Sequence, residues 1–323
     1  MKQGIYISWE KEEILMGKKK IKKSVIKRYA IYYLMLLPAL AYIIVNNYIP
    51  MAGVFIAFKK INFAKGIFAS PWCGFDNFKF LFKTKDAWLM TKNTLLYNLA
   101  FIVVGTVMAI IVAIMLSEVK NAHYQKAVQT CLTIPALISM VIVSYLVYGF
   151  LSTDNGFINN TILPLFGKAP VSWYTEKAPW PFIFVFINLW KGIGMSSILY
   201  LSTIIGIDSV LYESASLDGA TKLQQIRYIT LPMIKPTVIL LTLMSIGKIL
   251  NSDFGLFYQV PMNSGPLYSV TTTIDTYVYK GLLVDGNMSL SSAANFYQSM
   301  VGFVLVLLSN WIVKKVDKES ALF

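Results

Sequence analysis

Leu211–Pro236 reads LYESASLDGATKLQQIRYITLPMIKP, a polar interruption between two strongly apolar segments. Asp208 or Ser209 can cap a short helix here, with Glu213 expected in its first turn, where the helix dipole favours an acid. Asp218-Gly219 then gives a turn, because glycine tolerates the backbone angles of a sharp reversal. A second helical run is expected over Ala220–Thr230, with Pro232 and Pro236 restarting the chain as apolar sequence resumes. A helix, a turn and a helix between two apolar segments describe a small lever on a membrane surface, about 208–232, placed to receive force from a partner.

The rest of the chain fits a membrane setting. Of 323 residues, 56% are hydrophobic and 14% charged, well short of the quarter usual for soluble domains. Six segments approach the roughly 20 residues needed to cross hydrocarbon. They are Tyr29–Phe58, Thr94–Leu116, Ala127–Leu151, Pro181–Gly206, Thr237–Phe257 and Ala293–Val313. Lipid offers no partner to exposed backbone groups, so each is expected to be helical. The expected fold class is an all-α polytopic membrane protein, with a basic segment over 1–28 and a transmembrane domain over 29–323.

The net charge of +13 does not point to nucleic acid, because much of it is concentrated before the first span, at Lys18, Lys19, Lys20, Lys22, Lys23, Lys27 and Arg28. A cluster there is a topology signal that meets anionic head groups. With Lys314, Lys315 and Lys318 it places both termini in the cytoplasm. The first outer loop pulls the other way with Lys59, Lys60, Lys65, Lys79, Lys83, Lys85 and Lys92, so the bias is real but modest. The apolar run after Arg28 is longer than a signal h-region and is expected to be a retained span. Cys73 and Cys131 fall in different settings, and a bridge between them is not expected.

Little here suggests catalysis. The sequence has no G-x-x-x-x-G-K-[ST] loop for a nucleotide, no Cys/His set with metal spacing, and a single histidine, His123. Gly192 and Gly194 sit inside an apolar segment and do not make a dinucleotide loop. No catalytic residue, metal or resident cofactor is expected, and the energy for any transport must come from another subunit.

The polar stretch resembles the EAA loop of ABC-importer permeases. Glu213-Ser214-Ala215, Asp218-Gly219-Ala220 and Ile229-Thr230-Leu231-Pro232 match E-A-A, D-G-A and I-x-L-P, with Ser214 where the family usually has alanine. Other landmarks resemble the polysaccharide- and maltose-type sugar permeases. They are Phe75-Asp76-Asn77-Phe78, Asn93-Thr94-Leu95, Gln129-Thr130 with Pro135, Trp190-Lys191-Gly192-Ile193-Gly194, Ile274-Asp275-Thr276-Tyr277-Val278-Tyr279, Ser292-Ala293-Ala294 and Asn310-Trp311.

The resemblance implies a bacterial cell-membrane permease that forms half of a translocation pathway for an oligosaccharide by alternating access. It implies four kinds of partner: a related second permease, two ATPase subunits that bind ATP and Mg, an extracellular solute-binding protein, and membrane lipid. Glu213 would pair with a basic residue of the ATPase and Gly219 would permit the turn. Ser214, Ala215, Asp218, Ala220, Ile229, Leu231 and Pro232 would shape the loop.

Sugar sites combine aromatic faces with planar polar groups, so the pathway candidates are Tyr145, Tyr148, Trp190, Lys191, Lys248, Asn251, Asp253, Tyr258, Asn295, Tyr297 and Gln298. Lys191 near mid-membrane reads either as pathway lining or as a packing charge. Lys248 and Asn251, three apart, are expected on one helix face of the fifth span. Two alternatives stand beside this reading: an ion-coupled secondary transporter, and an ABC permease for a non-sugar solute.

Overall fold

The computed structural model describes residues 23–316. Most of the basic N-terminal cluster and Lys318 lie outside the described residues. The chain divides into two units, one ending at Phe55 and one starting at Ile56.

In the first unit, α1 (Lys23–Ile43) passes through Pro38. The helical stretch Tyr32–Phe58 is long and apolar enough to cross a bilayer.

The second unit holds α2 (Lys85–Ser117), α3 (Ala122–Leu137), α4 (Met140–Leu151) and α5 (Trp180–Ile205). It continues with α6 (Ser209–Leu217), α7 (Lys222–Gly247), α8 (Ile274–Leu283) and α9 (Met288–Val316). Among the described residues five helices are candidate spans, and the pair α3–α4 supplies a sixth if it is one broken span. An all-α polytopic fold is therefore what the chain adopts.

Three of the expected spans differ from those observed. α2 begins at Lys85, nine positions before Thr94, because Thr84 caps it by accepting from the Ala87 N–H. The third span is not straight: α3 and α4 meet at 95° across Ile138 and Ser139, both extended. Pro135 sits at the end of α3 and does not open the span.

The fifth span is displaced most. It runs Lys222–Gly247 where Thr237–Phe257 was expected, so the second helix of the lever and the span are one element. Pro232 and Pro236 do not restart it. A π-turn at Ile226–Thr230 precedes Pro232, with the Leu231 N–H donating to the Ile226 carbonyl. The wider turn accommodates a residue that lacks an N–H and crowds the preceding carbonyls. The same device precedes Pro50, Pro164 and Pro261, at Ile44–Tyr48, Ile158–Ile162 and Gly255–Gln259.

Packing in the second unit uses small residues where helices cross. Ala109 and Ala113 of α2, one turn apart and fully buried, meet Tyr200, Leu201 and Ile204 of α5 and Ile234 of α7. In a bilayer, close approach through small side chains replaces much of the hydrophobic drive between helices. A second cluster joins Tyr97, Trp180 and Phe184 to Leu256, Phe257 and Val260.

The loop before α2 is held by Asn77, whose Nδ2 donates to the Ala57 and Lys59 carbonyls at 2.8 and 2.9 Å. Lys59, counted in the sequence as an outer-loop charge, is buried and donates to Ile67 and Phe68 carbonyls.

Candidate functional site

The polar hairpin is built almost entirely from bonds between close neighbours. Asp208 caps α6, its carboxylate accepting from the Val210 N–H at 3.0 Å. α6 starts at Ser209, so Glu213 lies in its second turn, and Asp208 is the acid that meets the dipole. Gly219 has φ +77°, the left-handed conformation that terminates helices with little penalty only for glycine. The Ala220 N–H donates to Ala215 and the Gly219 N–H to Ser216, which is the Schellman pattern. Thr221 and Gln224 then form a reciprocal capping box that starts α7.

Side chains tie the two arms together. Gln225 Nε2 donates to Ser216 Oγ at 2.8 Å, Ser216 Oγ donates to the Tyr212 carbonyl, and Tyr212 shares a 2.9 Å hydroxyl bond with Thr230. Outward, Glu213 and Ser214 are exposed, Ala215, Ala220 and Ile229 half-buried, and Leu231 and Pro232 exposed. The tip carries Leu217 and Leu223, 90% and 75% exposed. Lys222 pairs with Glu118 of the α2–α3 loop at 2.9 Å, which puts that loop on the same side.

At its other end α7 simply stops. Gly247 is its last residue, and Lys248, Asn251 and Asp253 follow on irregular backbone, so the shared helix face expected for Lys248 and Asn251 is absent. They converge all the same. Together with Asn98, Asn188 and Ser252 they line a cavity of about 560 Å³ between α2, α5 and α7. Non-helical backbone in a membrane-spanning protein persists where protein or a cavity satisfies it. Asn98 Nδ2 donates to the Ile249 and Asn251 carbonyls at 2.9 and 3.0 Å, and Gln298 Nε2 donates to the Leu250 carbonyl and to Asn251 Oδ1. Asp275 Oδ2 accepts from the Ser252 N–H and hydroxyl at 2.6 and 2.8 Å.

The remaining pathway candidates do not line this cavity. Lys191 donates to the Pro135 and Ile138 carbonyls, neutralising the C-terminal end of α3 at the bend. Gly194, on the same helix, lets α3 cross, since a Cβ there would collide with the Leu132 backbone. The Trp190–Gly194 motif thus builds the broken span, with Trp190 packed on the aromatic core. Tyr145 is exposed, Tyr148 packs on Tyr174, and Tyr258 lies against Phe254 and Tyr279. Asn295 is exposed, Tyr297 packs beside Leu250 and Ile274, and Gln298 acts from behind the lining. Asn98 and Ser252 were not expected. Asn98 stands one turn after Thr94 in an otherwise apolar run, which is a faint sequence signal for a helix-facing polar group.

A family model described as "Binding-protein-dependent transport system inner membrane component" matches residues 102–318, which include the hairpin and most of the cavity. The chain belongs to this family. It is a multi-pass membrane permease component, and this sets aside the ion-coupled carrier. Protein LplB of Bacillus subtilis is 34% identical over 92% of this chain and 92% of its own length. The "Polygalacturonan/rhamnogalacturonan transport system permease protein YteP" of the same organism is 34% identical over 96% of each. Among solved structures, a chain of a bacterial ABC transporter involved in the import of the acidic polysaccharide alginate has a TM-score of 0.83 at 35% identity, covering 93% of this chain and 100% of that one. A second structure of the alginate transporter, in complex with an alginate pentasaccharide-bound periplasmic protein, matches equally well, with a TM-score of 0.83.

Proposed function

We propose that this permease forms half of a glycan pathway, and that ATP hydrolysed on two partner ATPase subunits moves the α6–α7 hairpin. One observation carries the reading. The helix that begins at the exposed hairpin is the helix that ends at the cavity. α7 has 26 residues, about 39 Å at ~1.5 Å per residue. A push on the hairpin therefore tilts an element whose far end unwinds into Lys248, Asn251 and Asp253. Differential contact of the ATPases with the hairpin in open and closed states supplies the coupling.

In this reading the chain is not itself an enzyme and holds no nucleotide. ATP and Mg belong to the ATPases. The hairpin, the Glu118 loop and both termini face the cytoplasm. A second permease completes the pathway, and a solute-binding protein delivers cargo from outside. Leu217 and Leu223 supply the apolar contact to the ATPase and Glu213 the charged one.

For cargo, an acidic oligosaccharide is favoured. Lys248 faces the cavity with no salt bridge or side-chain hydrogen bond among the described residues. The alginate and polygalacturonan relatives support the same choice.

The test is reconstitution with the cognate second permease, ATPases and binding protein, measuring uptake of alginate and polygalacturonate oligosaccharides. ATP-dependent uptake, indifferent to membrane potential, is expected. Glu213→Ala is expected to weaken ATPase assembly severalfold. Uptake that survives without ATP hydrolysis would refute the reading.

A further inference from the structure

Directly after Asp253, the last cavity-lining residue, the chain enters the π-turn Gly255–Gln259. This turn sends its side chains two ways. Leu256 and Phe257 go inward and are fully buried in the aromatic core. Phe254 and Tyr258 go the other way and meet Tyr279 of α8. The Phe254 and Tyr258 rings lie 4.8 Å apart and nearly parallel, at 20°. Tyr279 closes on both, at 4.3 Å from Phe254 and 5.1 Å from Tyr258. All three are half-buried. Beside them Lys280 Nζ sits 3.2 Å from the centre of the exposed Tyr268 ring.

Two tyrosine hydroxyls lie on this cluster. Tyr97 donates its hydroxyl to the Val270 carbonyl at 2.9 Å, and Tyr212 shares its own with Thr230. The Tyr258 and Tyr279 hydroxyls have no hydrogen bond among the described residues, and neither oxygen is a buried orphan. Both oxygens therefore keep some contact with the space around the cluster. A half-buried ring triad with unbonded hydroxyls, next in sequence to an ammonium and directly after the cavity lining, suits a ligand with an apolar CH face and polar rim. A pyranose ring has that chemistry.

We propose that Phe254, Tyr258 and Tyr279 form a sugar-stacking shelf outside the cavity, which holds one ring of a longer glycan while another occupies the space beside Lys248 and Asp253. Lys280 is placed to meet a carboxylate on the shelved ring. The shelf rests on the glycan reading given above and adds to it a second subsite and a preference for chains over single sugars.

The experiment uses the reconstituted transporter with its binding protein. KM and maximal rate are measured for a pentasaccharide and a disaccharide from the same polygalacturonate or alginate digest. Tyr258→Leu and Phe254→Leu keep apolar volume and lose the π-face. Each is expected to raise the ratio of the pentasaccharide KM to the disaccharide KM about tenfold, the size of a lost aromatic contact of ~1.4 kcal/mol. Tyr258→Phe, which keeps the ring, is expected to restore most of that ratio. An unchanged ratio in both leucine variants would overturn the shelf, as would an equal rise for both probes, since that is what altered packing does. If the wild-type protein carries neither probe, the glycan reading falls and the shelf falls with it.

Discussion

The two ends of α7 are finished in opposite ways. At the hairpin the turn itself closes through bonds between residues at most five apart, Ala220 to Ala215 and Thr221 with Gln224, and the arms are tied across no more than 18 positions. At the cavity the helix unwinds, and its carbonyls are satisfied from far away: Asn98 reaches Asn251 across 153 positions and Gln298 reaches Leu250 across 48. The first end carries its own stiffness and can be pushed as a unit. The second is held by side chains from other helices. A device that converts force at one place into a rearranged cavity at another needs both kinds of end.

The largest effect that would break this comparison is at the cavity. Asn98→Leu removes the donor to two carbonyls, at Ile249 and Asn251, and the part-buried one at Ile249 costs about 1–3 kcal/mol when left unpaired. A clear drop in thermal stability in detergent is expected, together with loss of uptake. An unchanged melting temperature would mean that this end, too, supports itself. At the hairpin a single deletion should cost less. Asp208→Ala removes one cap of α6, worth about 1 kcal/mol, and circular dichroism with thermal melts should show a small shift and retained insertion. Smallest is Lys222→Ala. The pair with Glu118 is largely solvent-exposed, and such pairs contribute about 0–1 kcal/mol. Loss of assembly in that variant would show that the α2–α3 loop holds the hairpin in place more strongly than its geometry implies.

The same contrast decides what could be read from the sequence. The hairpin was legible, because Asp208, Gly219 and the Thr221–Gln224 pair act on residues within one or two turns. Its register was less so: Glu213 sits one turn later than expected, and Pro232 does not end the helix, because a π-turn absorbs it. The cavity was legible only in part. Lys248, Asn251 and Asp253 stood out as polar residues near an apolar span, yet the helix face expected for Lys248 and Asn251 is absent. Their convergence depends on Asn98, Asp275 and Gln298, whose separations no local pattern encodes. Lys191 shows the converse. A lone cation in an apolar segment read either as pathway lining or as a packing charge, and its partners are backbone carbonyls 53 and 56 positions earlier, exposed by a bend that Pro135 alone does not announce.

The central claim is that the hairpin passes its motion to the cavity through α7, and Gly219→Pro tests it most directly. Proline holds φ near −65° and cannot adopt the +77° that closes the reversal. Uptake and ATP hydrolysis would be measured together in the reconstituted transporter. The account predicts an inserted, assembled protein that hydrolyses ATP while uptake per ATP falls at least tenfold. Uptake per ATP equal to that of the wild type would contradict it.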